Sequence, residues 1–362
     1  MSIAVDSFSV YWTDSRGNLT KVSKTGGHLT ELASGQTFTG GIAVDATNAY
    51  FGYSPCPTSQ DALCAGGLAR VPLAGGSPVV LASVLVSSTA QSIAADSSGL
   101  YWTALLGVCS SDEDAGVFSV AHIDGSPYTA TEEGGTPAYG GISIQRPDAG
   151  ASILSDVDGG PTLSLCLGTV NRMPAGGGEE TVLATAGGPS SVGPIALDAR
   201  SIYWGTGSYG IAKASKTGGP PVDLAVTPGP TSSTYFGYIT AIVADGENVY
   251  WLQQSAAPDT SDGDVMMAPA GGGPSTIIAS GQTNLSGLAI DATSVYWTST
   301  GTSSHCNTDG TVMKAPLRGG PSVTLVSNEF GPVGIAVDAT GDIYWISGGD
   351  ATGGTVRKLT PK

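Results

Sequence analysis

One pattern of apolar and polar positions recurs along the whole sequence. Each repeat starts with small and β-branched residues, as in GIAVD or GLAID, passes through a polar turn, and continues into an apolar run that usually ends in Tyr-Trp. Short runs of this kind, bounded by Gly, Ser, Thr, Asn and Asp, are typical of β-strands. Nothing in the repeats has a helical period, so the pattern predicts an all-β chain.

The first run of the pattern occurs eight times, at spacings of 39 to 53 residues. The copies begin at Ser2, Gly41, Ser92, Gly141, Pro194, Ala241, Gly287 and Gly334. All six tryptophans occupy the same repeat position: Trp12, Trp102, Trp204, Trp251, Trp297 and Trp345. A third run that leads into a glycine-rich turn, and in most units a fourth apolar run, complete the repeat. Each unit therefore predicts four short strands.

Four strands in such a unit match the blade of a β-propeller, whose length is roughly 40 to 50 residues. We therefore expect residues 1–362 to form one propeller domain with eight four-stranded blades. The fallback is seven blades, because the unit at Gly141 lacks both the aspartate and the Tyr-Trp pair. The last unit has only three strand-forming runs. Two interpretations are open: the final blade has three strands, or its fourth strand preceded the first run and was removed.

Residues 11–14 read YWTD, IAVD precedes them, and VYWT recurs at 295–298. On these motifs the chain resembles the YWTD/NHL-type β-propeller families over nearly its whole length. The resemblance implies a binding scaffold, with lyases and hydrolases among a few relatives. The chain departs from the six-bladed YWTD receptors in having eight first strands.

Successive strands alternate in direction, so the connections divide between two ends of the propeller. The connections from first to second and from third to fourth strands are short and uniform, whereas the others are long and individual. Variable loops on a repetitive scaffold are the usual place for recognition. We expect ligand-binding residues there: Gln91, Tyr139, Tyr235, Phe236, Tyr238, Gln253, Gln254, His305, Glu329 and Phe330.

Aspartates raise the question of a metal site. Seven of them recur at the first turn of a repeat, where an Asp accepts backbone N–H bonds and caps its own turn, so a structural role is favoured there. Asp259, Asp262 and Asp264 instead cluster in a long connection and offer the oxygen ligands that Ca²⁺ prefers. They do not fit the twelve-residue calcium loop.

Composition excludes some partners. A net charge of -16 with only 14 Lys and Arg argues against nucleic acid, and no apolar run approaches the roughly 18 residues of a membrane helix. The spacing of Cys56 and Cys64 suits a small disulfide loop, and Cys109 with Cys166 can bridge neighbouring blades, which leaves Cys306 free. With few lysines as well, a secreted or periplasmic monomer is expected.

Signatures of catalysis are scarce. The motifs G-x-S-x-G and H-E-x-x-H are absent from the sequence. The best candidate for a catalytic acid–base pair is His305 with Glu329. A non-catalytic module that binds a protein, peptide or glycan is therefore favoured. The alternatives are a metal-dependent lyase or hydrolase with its site at the channel mouth, and a structural protein that functions in assembly.

Overall fold

The computed structural model of the protein describes residues 1–14, 16–35, 37–54, 66–84, 90–106, 167–187, 192–206, 210–226, 238–254, 262–302, 308–348 and 354–361. These residues form 27 β-strands. No helix capable of crossing a membrane is found in this part of the chain. The all-β prediction is confirmed.

The strands form seven antiparallel sheets, numbered here in chain order. Sheet 1 contains β1 (Ile3–Val5), β2 (Ser9–Thr13), β3 (Leu19–Ser23) and β4 (Thr30–Ala33). Sheet 2 contains β5 (Thr37–Val44), β6 (Asn48–Ser54), β7 (Gly66–Pro72) and β8 (Val79–Val84). Sheet 3 contains β9 (Ala90–Asp96), β10 (Gly99–Leu106), β11 (Leu167–Met173) and β12 (Thr181–Gly187). Sheets 4 and 5 contain β13 (Ile195–Leu197), β14 (Ser201–Thr206), β15 (Gly210–Ser215) and β16 (Val222–Val226); and β17 (Tyr238–Ala244), β18 (Asn248–Gln254), β19 (Asp262–Pro269) and β20 (Thr276–Thr283). Sheets 6 and 7 contain β21 (Leu285–Ile290), β22 (Ser294–Ser299), β23 (Gly310–Pro316) and β24 (Val323–Glu329); and β25 (Pro332–Val337), β26 (Ile343–Ser347) and β27 (Thr355–Leu359).

The first strands of the sheets form a closed ring. Each contacts the first strand of the next sheet, from β1 through β5, β9, β13, β17 and β21 to β25, and β25 contacts β1. Sheets arranged radially in this way define a β-propeller, as the repeats predict. The seventh sheet has three strands in the described part of the chain, which agrees with the expectation for the last unit.

The expected number of eight blades is wrong and the fallback of seven is right for the described residues. The reason lies in sheet 3, where β10 from the third repeat pairs with β11 from the fourth. The two repeats thus contribute two strands each to one sheet. Residues 107–166, which include the first run of the fourth repeat, lie outside the description.

The core is divided among the boundaries between sheets. In six boundaries a tyrosine from one sheet shares a buried cluster with a tryptophan or phenylalanine from the next. The pairs are Tyr11 with Phe51, Tyr50 with Trp102, Tyr101 with Trp204, Tyr203 with Trp251, Tyr250 with Trp297, and Tyr296 with Trp345. Because adjacent residues of a strand point to opposite faces, each Tyr-Trp pair joins its sheet to both neighbours.

Small residues allow the first strands to approach each other near the axis. A Cβ atom added to Gly287 in β21 would lie 2.5 Å from the Val333 carbonyl oxygen and 2.8 Å from the Ile335 nitrogen of β25. Backbone atoms cannot yield to such a contact, so this position requires glycine.

The antiparallel order confirms the two-ended arrangement. We call the end with the first-to-second and third-to-fourth strand connections the turn end, and the other the connection end.

Candidate functional site

The turn end is built from a repeated pair of aspartate and tyrosine. In sheet 1, Oδ1 of Asp6 accepts the backbone N–H groups of Phe8 and Ser9, both at 2.7 Å. Its Oδ2 accepts the Tyr11 hydroxyl, also at 2.7 Å. One carboxylate therefore caps the turn and also satisfies a buried hydroxyl group, which explains the recurring spacing between Asp and Tyr.

The same arrangement recurs in five further sheets, with hydroxyl-to-carboxylate distances of 2.6–3.2 Å across all six. The pairs are Asp6–Tyr11, Asp45–Tyr50, Asp198–Tyr203, Asp245–Tyr250, Asp291–Tyr296 and Asp338–Tyr344. In sheet 3 the Tyr101 hydroxyl instead bonds Ser98 Oγ at 2.9 Å, and Asp96 pairs with Lys216. These aspartates are structural, as predicted.

The hydrogen bonds shift the pKa values of both partners. Burial raises the pKa of Asp6, but the bonds from Phe8, Tyr11 and Ser9 outweigh it and hold the value below the ordinary 3.8. Hydrogen bonds also outweigh burial and lower the pKa values of Asp45, Asp198 and Asp291, and in Asp96 and Asp338 a bonded lysine contributes to the lowering. Burial and then the bond to aspartate raise the pKa to about 12 in Tyr11, Tyr50 and Tyr250.

A basic residue on the third strand adds a second link between sheets, which the sequence analysis missed. Lys213 donates to the Ala270 carbonyl oxygen of the next sheet at 2.7 Å. Arg70 donates to the Ala175 carbonyl at 3.2 Å. The signal was available, because a basic residue stands opposite the tyrosine in six of the seven sheets: Lys21, Arg70, Arg172, Lys213, Lys314 and Lys358.

At the connection end, the described residues line an open pocket of about 510 Å³ between sheets 6 and 7. Its lining residues are Val326, Glu329, Trp345, Thr355, Arg357 and Lys358. Glu329, one of the predicted binding residues, is only 5% exposed. Its Oε2 accepts the indole N–H of Trp345 at 3.2 Å, and its Oε1 accepts Arg357 at 3.3 Å. The Arg357 side chain is 54% exposed, so it presents positive charge at the pocket.

Two predicted glutamines lie at the same end, in the last two positions of β18 in sheet 5. Gln253 accepts the Trp251 indole N–H at 3.4 Å and donates to Asp264 at 3.1 Å. Gln254 donates to Asn284 at 3.1 Å. Both glutamines are at most 9% exposed. The structure therefore uses their amides inside a buried network that orders the edge of the connection end.

Two predicted aromatic residues are exposed at this end. Tyr238 is 50% exposed and begins β17, and Phe330 is 38% exposed and lies two residues before β25. Both therefore stand at the connection end, where the chain enters a first strand. They are the described members of the predicted aromatic group.

The remaining predicted residues cannot be placed. Those outside the described ranges are Tyr139, Tyr235, Phe236, Asp259, His305, Cys56, Cys64, Cys109, Cys166 and Cys306. For Gln91 and Asp262 only the backbone is described, in β9 and β19. In the described ranges no three His, Cys, Asp or Glu side chains gather to hold a metal ion. The predicted calcium cluster is thus represented by Asp264 alone.

Comparison with known proteins agrees with the architecture. No protein-family model and no curated protein matches the chain. Among solved structures, an oligogalacturonate lyase in complex with manganese is 12% identical with a TM-score of 0.57, covering 95% of this chain and 83% of that one. The WD40 β-propeller domain of Doa1 is 11% identical with a TM-score of 0.53, covering 100% and 92%.

A computationally designed protein, Ika8, is 15% identical with a TM-score of 0.51, covering 99% of this chain and 94% of that one. At identities this low, the structural similarity establishes a shared fold and nothing more. The chain is a β-propeller.

Proposed function

We propose that this chain is a recognition module of the YWTD/NHL type that binds a protein, peptide or glycan at its connection end. The observation that carries the proposal is the difference between the two ends. At the turn end the aspartates are occupied by turn caps and tyrosine hydroxyls. The connection end has an open pocket and the exposed rings of Tyr238 and Phe330.

The chemistry of the connection end suits a ligand with both polar and apolar groups. Arg357 offers exposed N–H donors beside the pocket, and Phe330 directly follows the pocket residue Glu329. Exposed aromatic and arginine side chains are the residues that dominate binding energy at interfaces. Trp345 is buried, so it shapes the pocket wall rather than stacking on a ligand.

We further propose that the module acts as a monomer outside the cytosol. The support is the cysteine spacing, which suits disulfides between Cys56 and Cys64 and between Cys109 and Cys166. Peptide mapping without reduction tests the pairing. We expect both cross-links in protein secreted or exported by a host cell, and recovery of all five thiols in the free state would contradict them.

The binding experiment uses labelled full-length protein on glycan and peptide arrays. The test variant is Tyr238→Ala with Phe330→Ala. The matched control is Phe8→Ala, since Phe8 is 79% exposed and lies in the first turn of sheet 1, at the opposite end. We expect the wild type and Phe8→Ala to retain the same ligand and the double variant to lose it.

Other outcomes would contradict the proposal. Loss of binding in Phe8→Ala alone would place the site at the turn end. No retained ligand, together with an increase in melting temperature in Ca²⁺ or Mn²⁺ that EDTA reverses, would favour a metal-dependent activity. The melting test is diagnostic because any ligand selective for the folded state raises its stability.

A further inference from the structure

The boundary between sheets 6 and 7 has the same plan as the boundary between sheets 5 and 6. At each boundary the indole N–H of a second-strand tryptophan donates to a side chain on the fourth strand of the preceding sheet. Trp297 donates to Oε1 of Gln282 at 3.0 Å, and Trp345 donates to Oε2 of Glu329 at 3.2 Å. The two acceptors therefore occupy equivalent positions.

The backbone supports this equivalence. The residue before each acceptor has a left-handed conformation, with a φ angle of 65° at Gly281 and 57° at Asn328. Asparagine is among the few residues other than glycine that adopt this conformation readily. The same backbone conformation thus precedes Gln282 and Glu329, each of which reaches the tryptophan of the next sheet.

The two boundaries differ in charge. Met313 pairs with Trp297 in its ladder, whereas Arg357 pairs with Trp345. A carboxylate and a guanidinium thus replace an amide and a thioether, and the Arg357 Nη1 and Glu329 Oε1 atoms are 3.3 Å apart. Glu329 is 5% exposed, although the neutral Gln282 is only half-buried. The charged acceptor is therefore the more deeply buried of the two.

Packing of the two sheets does not require these charges. Gln282 satisfies its indole with a neutral amide, and burial of a carboxylate costs free energy that an ion pair offsets only in part. Replacement of a buried ion pair by neutral residues of similar volume is often neutral or stabilising. Local choices that lower stability in this way are typical of functional sites.

The two boundaries also differ in the groups that remain for a ligand. Both ends of the Gln282 amide are used within the chain, because its Nε2 donates to the Ser280 carbonyl oxygen at 3.0 Å. Glu329 and Arg357 instead line the open pocket of about 510 Å³, a volume within the range of ligand sites. The Arg357 side chain is 54% exposed, and among the described residues Glu329 is the one partner of its guanidinium.

Glu329 and Arg357 together select a ligand by its hydrogen-bonding groups. A carboxylate only accepts hydrogen bonds and a guanidinium only donates them. Glu329 repels an anionic group and Arg357 repels a cationic one, whereas a hydroxyl group both donates and accepts. Neighbouring hydroxyl groups of a sugar ring therefore suit both residues. Phe330, which directly follows Glu329 and is 38% exposed, adds an apolar surface beside them.

We propose that Glu329 and Arg357 bind and select the ligand of the connection end, and that this ligand is a neutral glycan. Sugar hydroxyl groups donate to the Glu329 carboxylate and accept N–H bonds from Arg357. The Trp345 indole holds the carboxylate in position. This inference rests on the proposed function, because it names the ligand class for the same end of the propeller.

The test rebuilds the neutral boundary in the full chain. The variant Glu329→Gln with Arg357→Met carries the side chains of Gln282 and Met313 at the equivalent positions. Wild type and variant are compared on an array of neutral oligosaccharides of glucose, galactose and mannose, glycans that contain uronic acid, and peptides. We expect the wild type to retain a neutral oligosaccharide and the variant to bind it about ten-fold more weakly or worse. The melting temperature of the variant should be unchanged or higher.

The matched control is Gln282→Ala, which removes an indole acceptor that does not line the pocket. It should lower the melting temperature, because the Trp297 indole loses its partner, and leave retention of the oligosaccharide unchanged. The control therefore shows how the loss of a purely structural acceptor differs from the loss of a ligand-binding one.

Several results would overturn the inference. A lower melting temperature in the Glu329→Gln, Arg357→Met variant would give the ion pair a structural role. Retention of uronic-acid glycans alone, or of peptides alone, would assign a different ligand class. Equal binding by wild type and this variant, with loss in Tyr238→Ala with Phe330→Ala, would overturn the inference and leave the proposed function in place. Retention of no probe would overturn both.

Discussion

The Nζ atom of Lys24 lies 2.9 Å from Oδ2 of Asp338 and joins the first sheet to the last. Lys24 follows β3 in the turn of sheet 1, and Asp338 caps the first turn of sheet 7. Their side chains are 14% and 4% exposed, and the Lys24 ammonium also lies 5.8 Å from the Tyr344 ring centre. Sheet 7 has no fourth strand among the described residues, and this ion pair links it to sheet 1 across the boundary that closes the ring.

Replacement of this lysine should loosen the closure. Lys24→Met keeps the aliphatic stem but leaves Asp338 without its cationic partner, and we expect a loss of about 2 kcal/mol of unfolding free energy. Urea unfolding followed by tryptophan fluorescence measures it. The control is Lys358→Met, whose partner is Asp342; those side chains are 38% and 14% exposed.

The control variant should cost less than about 1 kcal/mol, because an exposed ion pair is screened by solvent. Equal losses in the two variants would mean that closure of the ring does not depend on the Lys24–Asp338 pair.

Acid should destabilise the protein through its turn aspartates. The pKa values of Asp6, Asp45 and Asp338 in the folded state lie below the ordinary value of 3.8, so the unfolded chain takes up protons first as pH falls. The stability they contribute is complete well above pH 4 and is lost as pH falls through 3.8 toward the folded-state values. Urea midpoints measured from pH 7 to pH 3 should be flat at first and then decline steeply.

The Asp338→Asn variant provides the control for this pH dependence. It should start less stable and decline less steeply below pH 5, because one titrating carboxyl is gone. A wild-type midpoint that stays constant down to pH 3 would contradict the assignment of lowered pKa values.

Removal of a single tyrosine hydroxyl measures how much the Asp–Tyr hydrogen bond contributes to the free energy of unfolding. Tyr203 is fully buried and donates to Asp198 at 2.6 Å. Tyr203→Phe should cost about 1.5–3 kcal/mol, the range for hydrogen bonds to charged groups. Tyr238→Phe is the matched control, since Tyr238 is half exposed, and it should change stability by less than about 0.5 kcal/mol. A similar loss in both would show that the pairing adds nothing beyond ring packing.

Local pattern was sufficient to predict the strands and the turn-capping aspartates. These features depend on residues a few positions apart, which the repeat displays directly. The hydroxyl bond from Tyr11 to Asp6 was not predicted, although the constant spacing between the two residues implies it.

The pairing of β10 with β11 could not be predicted in the same way, because the two strands are separated by residues 107–166. Each repeat was assumed to complete its own sheet. One signal favoured the observed pairing: the third run of the third repeat has Val120 at the position where most third strands carry a basic residue, and the fourth repeat has Arg172 there. Arg172 pairs with Tyr101 in the ladder and donates to the Lys216 carbonyl at 3.1 Å.

The binding residues were harder to predict, since polarity does not reveal burial. Gln253 and Gln254 were selected as exposed loop residues, but both lie at the end of β18 with their amides hydrogen-bonded. Arg357 was not selected, because it stands in the third strand of the last repeat. Its place beside the pocket depends on the packing of sheet 7 against sheet 6, which is a property of the assembled ring.

The close approach of the first strands at the axis predicts that an added methyl group at Gly287 destabilises the protein. Gly287→Ala adds a Cβ within 2.5 Å of the Val333 carbonyl oxygen, so β21 and β25 must separate. Overpacking of this kind costs about 1–3 kcal/mol, and we expect about 2 kcal/mol here with a lower melting temperature. Gly271→Ala is the control, because its added Cβ meets nothing within 4 Å. It should be neutral within about 0.5 kcal/mol. If Gly287→Ala were equally neutral by urea unfolding, the first strands would have to lie farther apart than the structure places them.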